Sequence, residues 1–145
     1  LQSIIKHYGA NILQSDGTLD RRRLGSIVFN DVDERRWLEA QIHPYVRSCF
    51  EININNLAPN FTAVLAIPLL FETGMTDLVT EIWVVSCDPT TQLNRIMARD
   101  RISEAEARTR IASQMSLTDK IAQADVNLDN STNIADLERQ IDDRL

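Results

Sequence analysis

Lysine is nearly absent from this chain of 145 residues, which holds only Lys6 and Lys120 and draws the rest of its 15 basic residues from arginine. Neither lysine stands in a GxxxxGK[ST] phosphate loop, and the four glycines, Gly9, Gly17, Gly25 and Gly74, leave no room for GxGxxG or GxSxG. With His7 and His43 the only histidines, a serine or cysteine triad has little to draw on. Cys49 and Cys87 are too few for a disulfide scaffold and lack zinc-ligand spacing, so they read as buried thiols in a reducing compartment. The longest apolar run, Ala63 to Phe71 with Pro68 inside it, is less than half of the ~20 residues that a membrane span needs. No signal peptide opens the chain, so the sequence predicts a soluble, cytoplasmic protein with no membrane partner. An excess of 21 acidic over 15 basic residues, net charge -6, argues against non-specific nucleic-acid binding. The hydrophobic share of 43% predicts a globular chain with a sizeable core. The chain opens on Leu1, inside a helical pattern, and so reads as part of a longer protein.

Apolar residues recur at helical spacing through the first half. A helix over Leu1–Tyr8 closes at Gly9, and a turn at Ser15-Asp16-Gly17 leads to a helix capped by Asp20 with Leu24, Ile27 and Val28 inward. Asp31 or Asp33 caps a third helix with Trp37, Leu38 and Ile42 inward, which His43-Pro44 separates from a fourth through Val46, Cys49, Phe50 and Leu57. The second half alternates strand and helix, so the expected class is α/β with parallel strands. Ala63–Leu70, Ile82–Ser86 and Val126–Leu128 are the strand candidates, the first two read as buried. Asp88-Pro89 opens one helix, Ser103 and Glu106 form a capping box for another reaching about Met115, and a short helix covers Leu117–Ala124. Ile134, Leu137, Ile141 and Leu145 mark the inward stripe of a closing helix.

Five arginines, Arg95, Arg99, Arg101, Arg108 and Arg110, crowd one stretch of this acidic protein, and guanidinium groups grip phosphate oxygens well. Arg95 and Arg99 lie one turn apart, and a hinge near Asp100–Ile102 could bring Arg108 and Arg110 toward them, as in a lid over a nucleotide. The alternative is a solvated face with Asp100, Glu104 and Glu106 as intrahelical partners. Glu72 follows a predicted strand end, where it either orients a hydroxyl or magnesium-bound water or caps the next helix. His43 before Pro44 fits a structural joint, and Asp129-Asn130-Ser131 after the last strand either contacts a base or forms a turn.

Taken together, Asp16–Arg21, Leu38–Pro44, Pro68–Gly74, Gln92–Asp100 with Arg110–Gln114, and Ala124–Val126 with Asp129–Ser131 resemble the dephospho-CoA kinase family of P-loop kinases. The motifs stand in the family's order over essentially the whole chain. The resemblance implies a parallel sheet with a helical acceptor (CoA) subdomain at 1–60, and an α/β nucleotide-kinase core at 61–145 with a lid at about 95–115. It implies transfer of the γ-phosphoryl group of ATP to the ribose 3'-hydroxyl of dephospho-CoA, with Mg2+, the last step of coenzyme A synthesis. Arg99, Arg95 and Arg110 would neutralise transition-state charge; Asp129, Asn130 and Ser131 would lie beside adenine; His43, Pro68, Leu69 and Glu72 would shape the dephospho-CoA site.

Two departures qualify the resemblance. Thr132 stands where the family often has glycine. The family's phosphate loop, its early acidic motif and the central strand carrying them are missing, so strands at Ala63 and Ile82 would flank a gap and this polypeptide alone should be inactive and bind ATP weakly. A non-enzymatic remnant acting as a binding module, or a related small-molecule kinase with another acceptor, are the alternatives.

Overall fold

The computed structural model describes residues 1–145, which divide into two compact units, Leu1–Ala63 and Val64–Leu145.

In the first unit, helix α1 (Gln2–Tyr8) stops at Gly9, whose φ of 78° is the left-handed geometry that glycine adopts without strain. A 3-10 turn at Ala10–Ile12 then buries Ile12 almost completely. The chain reverses at Gly17, where the Asp16 carboxylate accepts from the Thr18 amide at 2.9 Å and its hydroxyl at 2.6 Å, and Leu13 meets Leu19 in one antiparallel bridge. Asp20 caps α2 (Arg21–Asn30) by accepting from the amides of Arg22 and Arg23 at 3.1 and 2.9 Å. Leu24 on that helix closes a core with Ile4 and Ile12, flanked by Ile27, Val28, Trp37 and Leu38.

Asp31, not Asp33, caps α3, and this helix runs unbroken from Val32 to Asn55. The expected break at His43-Pro44 is therefore absent. Proline removes one donor and leaves one carbonyl four residues back unpaired, while the long ladder on either side carries the helix through. Ile42, expected inward, is 40% exposed, because the core ends one turn earlier at Leu38. The α1–α3 contact is aromatic: the His7 ring stacks on Trp37 at 3.7 Å, Tyr8 meets both rings edge-on, and His7 Nε2 lies 2.9 Å from Glu34 Oε2.

In the second unit, strand β1 (Trp83–Ser86) pairs in parallel with β2 (Val126–Asp129), Val84 opposite Asn127 and Ser86 opposite Asp129. Val84, Ser86, Val126 and Leu128 are buried, but Val85 is 56% exposed, so the strands alternate and do not bury both faces as expected. Ala63–Leu70 forms no strand at all. Its apolar residues have no backbone ladder to join, since β1 pairs with β2 alone, and the segment runs irregularly into turns over 68–74. Gly74 (φ 63°) leads there to the buried Met75, whose amide donates to the Leu70 carbonyl at 3.0 Å.

Asp88 caps α4 (Pro89–Asp100) through the Thr91 amide, with Pro89 at the first helical position. The expected capping box of Ser103 and Glu106 starts α5 (Glu104–Ala112) with both reciprocal hydrogen bonds made. Helices α5 and α6 (Leu117–Ile121) stop short of Met115 and Ala124, respectively. Asn133 caps α7 (Ile134–Asp142), where Ile134 (67% exposed) and, past its end, Leu145 (92%) fall off the expected inward stripe. No helix is long and apolar enough to cross a membrane.

One detail of the first unit is testable. The Tyr8 hydroxyl is buried with no oriented hydrogen-bond partner, and burial together with the nearby Glu34 carboxylate pushes its pKa up to about 12. Because a buried donor without a partner costs stability, Tyr8→Phe is expected to be neutral or to stabilise by up to ~1 kcal/mol in urea unfolding. A loss larger than that would show that the hydroxyl is paired in solution.

Candidate functional site

The hydrogen-bond ladder of the sheet continues past its carboxyl end and organises the loops there. The Asn130 amide donates to the Ser86 carbonyl at 2.7 Å, and the Asp88 amide donates to Ser131 Oγ at 2.9 Å. Asp129 Oδ1 accepts from both the amide and the hydroxyl of Ser131, while Gln140 of α7 holds the Asp129 backbone at both its amide (2.8 Å) and its carbonyl (2.9 Å). Asp129, Asn130 and Ser131 therefore form one hydrogen-bonded loop in which Asp129 and Ser131 serve each other. Thr132 keeps an ordinary negative φ and bonds Asp136, so the loop does not require glycine at that position.

Arg95 joins this loop instead of pairing with Arg99. Its Nη1 donates to the Asn130 carbonyl at 2.7 Å, across the start of α4. Arg99 and Arg110, by contrast, are brought together by a shared acid. Asp100 binds Arg99 side-on, Nε to Oδ1 at 2.7 Å and Nη2 to Oδ2 at 3.0 Å, and its Oδ2 also accepts from Arg110 Nη1 at 2.8 Å. The Arg99 hydrogen bond and the two guanidinium charges hold the Asp100 carboxyl below the usual carboxylate range, against the opposing effect of burial. Arg101 caps α4 in the left-handed region at φ 53°, which turns the chain sharply from α4 toward α5 where a hinge was expected. Arg108 pairs with Glu104 one turn back on its own helix, while Glu106 is taken by Ser103. The solvated-face alternative thus holds for Arg108, while Asp100 acts both within α4, on Arg99, and between helices, on Arg110.

Glu72 neither caps a helix nor ends a strand. It sits in the turn after Pro68 and Leu69, where Oε1 accepts from the Met115 amide at 2.9 Å and lies 2.8 Å from Lys120 Nζ. Both side chains are largely covered, at 14% exposed for Lys120 and 21% for Glu72. The sequence singles out Lys120 as one of only two lysines but not its pairing with Glu72, because a lysine on a short helix looks like surface charge. A cavity of about 430 Å³ opens beside this pair, between Ala66–Pro68 on one side and β1 on the other, with Gln92, Met115 and Lys120 on its wall. Val85, the exposed residue of β1, also lines this space.

His43 lies in the first unit, half-buried on α3 and with no hydrogen bond, so it does not fix a bend. Cys49 and Cys87 are free and half-buried. No three His, Cys, Asp or Glu side chains converge to hold a metal ion.

Burial alone would raise the Glu72 pKa, but the hydrogen bonds from Lys120 and the Met115 amide, with the lysine charge, together hold it below the ordinary 4.5. A carboxyl depressed on folding adds stability that is complete above its unfolded pKa and disappears as pH falls through the folded value. Lys120→Met is therefore expected to destabilise by ~1–4 kcal/mol at pH 7, by leaving a largely covered carboxylate unpaired, and by less at a pH acid enough to protonate Glu72 in the folded protein. Urea titrations across that range check it, and an equal loss at both pH values would contradict it.

Comparison with known proteins places this geometry among kinases. Residues 1–136 match the family described as dephospho-CoA kinase. A dephospho-CoA kinase of Synechocystis is 53% identical over 97% of this chain and 70% of its own length, and one of Gloeobacter violaceus is 49% identical over 98% and 68%. Two solved structures are similar in fold. A Thermus thermophilus protein described as TT1252 superposes with a TM-score of 0.77 at 32% identity over 99% of this chain and 74% of its own. A dephospho-CoA kinase of Campylobacter jejuni gives 0.67 at 28% identity over 98% and 72%.

Proposed function

The chain belongs to the dephospho-CoA kinase family, and from that premise we propose that it supplies the acceptor and lid portions of an enzyme that phosphorylates the ribose 3'-hydroxyl of dephospho-CoA. The 3'-oxygen bonds the γ-phosphorus of ATP as the bridging oxygen leaves with ADP, and the hydroxyl proton is released. The observation that carries this reading is the convergence of Arg99 and Arg110 on Asp100, two guanidinium groups side by side in an acidic chain. Charge on a transferring phosphoryl group is spread over its equatorial oxygens, and paired guanidinium groups meet it with several donors at once.

In this reading residues 61–145 form the nucleotide-kinase core. The loop Asp129–Ser131 lies beside adenine, with the Asn130 amide as its donor and acceptor. Arg95 acts by holding that loop through the Asn130 carbonyl, which moves it from phosphate neutralisation to support of the base. Residues 1–60 form the acceptor subdomain, in which His43 on α3 is the candidate contact to dephospho-CoA. Within the second unit, Pro68, Leu69 and Glu72 are the candidate contacts. Mg2+ would accompany ATP on its phosphates, and the setting is cytoplasmic.

These 145 residues contain no GxxxxGK[ST], so the backbone nest and lysine that cradle the β- and γ-phosphates are not among them. The polypeptide by itself is therefore expected to show no measurable ADP release with ATP and dephospho-CoA, and to bind ATP at least ~10-fold more weakly than a chain completed upstream with a strand and phosphate loop. Calorimetry on both chains and a coupled ADP-release assay on the completed one check this. Equal ATP affinities would refute the role given to the missing loop, and turnover of another nucleoside but not of dephospho-CoA would refute the acceptor.

A further inference from the structure

The acid at the end of α4 does something that neither its neighbours in sequence nor the family description assigns. Asp100 is the only carboxylate that touches both Arg99 and Arg110, and it joins the last turn of α4 to the last turn of α5 across the left-handed Arg101. Its mode of contact matters. On Arg99 it takes Nε and Nη2, the side edge of the guanidinium, and leaves Nη1 unengaged on a side chain that is 73% exposed. A guanidinium has five N–H donors, so this contact orients the plane without using up its capacity for phosphate. On Arg110 the same carboxylate accepts from Nη1. The Asp100 side chain itself is 21% exposed, so it is shielded from water more than either partner.

An exposed arginine samples many rotamers, and bringing two like charges together opposes itself. A shared acid between them removes both obstacles: it offsets the mutual repulsion and fixes two guanidinium planes relative to one another. We propose that Asp100 is a positioning residue for phosphoryl transfer, which holds Arg99 and Arg110 as a preassembled pair for the transferring phosphoryl group. The inference rests on the kinase reading above, in which those two arginines meet phosphate. Asp100 touches no substrate; it acts through the arginines.

The test uses the kinase completed upstream with its phosphate loop, assayed for ADP release with ATP and dephospho-CoA. Asp100→Asn keeps the shape and loses the charge, and is expected to lower kcat by ~10–100-fold with less than a ~3-fold change in KM for ATP, because the orientation matters most when charge moves in the transition state. Asp100→Glu, which restores the charge on a longer arm, is expected to recover part of that loss. Adding Asp100→Asn to Arg99→Ala should cost far less than it costs alone, since the acid has then lost one of the groups it positions. Wild-type kcat in Asp100→Asn alongside slow Arg99→Ala and Arg110→Ala variants would overturn the inference, as would fully multiplicative losses or no recovery with Asp100→Glu. If Arg99→Ala and Arg110→Ala both keep full kcat, it is the kinase reading of the arginines that fails.

Discussion

The second unit depends on one parallel ladder, β1 against β2. Its hydrogen bonds do not end with the strands: the Ile82 carbonyl accepts from the amides of both Asp125 and Val126, the Asp125 carboxylate returns to the Ile82 amide at 2.7 Å, and at the far end Asn130 donates to Ser86. Because a parallel pair can be made only by a crossover chain, everything between the strands must leave β1 and come back to β2. The two arginine-bearing helices, α4 and α5, belong to that crossover, with α6 after them. The ladder therefore sets where α4 begins, where Asp129–Ser131 lies, and why Arg95 on one can reach Asn130 on the other.

From that fixed base the charged groups sort themselves by reach. Arg95, on the second turn of α4, is held by a backbone carbonyl of the sheet-end loop, whereas Arg99, one turn further, has passed beyond the sheet and finds Asp100. Arg108 points to its own helix and Arg110 points back to α4. Four of the five guanidinium groups that look equivalent in a list of spacings thus have three distinct jobs: loop support, pairing around one acid, and ordinary surface ion pairing. On the other side of β1, Glu72 and Lys120 tie the turn after Pro68 to the segment that leaves α5, beside an open cavity. The two assemblies share a logic, in which one carboxylate serves two donors from different elements.

Local chemistry was legible wherever a signal and its consequence lay within four residues. The caps of Asp20 and Asp88 and the box of Ser103 with Glu106 are side chains answering amides two or three positions on, and they stand as the residue order implies. Errors fell where the deciding partner was remote or missing. Ala63–Leu70 has the composition of a strand but no ladder to join, Pro44 was outweighed by the length of helix around it, and Ile42 and Leu145 had helical spacing with no core opposite. At the site, the residue types were readable and their groupings were not: Arg95 was expected beside Arg99, and the pairing of Lys120 with Glu72 was not expected.

By itself, then, the order of amino acids determined which helices start where, that the second half is α/β, and, through several separated motifs taken together, the kinase family to which the chain belongs. Those are properties of short windows and of composition, in which steric and hydrogen-bond preferences act between neighbours along the chain. Only the tertiary structure decided that Asp100 joins two arginines from different helices, that Glu72 meets Lys120, and that one face of β1 opens on a cavity. Such contacts are chosen among many possible partners by the sheet pairing and by helix length, and an ion pair spanning 48 positions of sequence leaves no periodic trace in it.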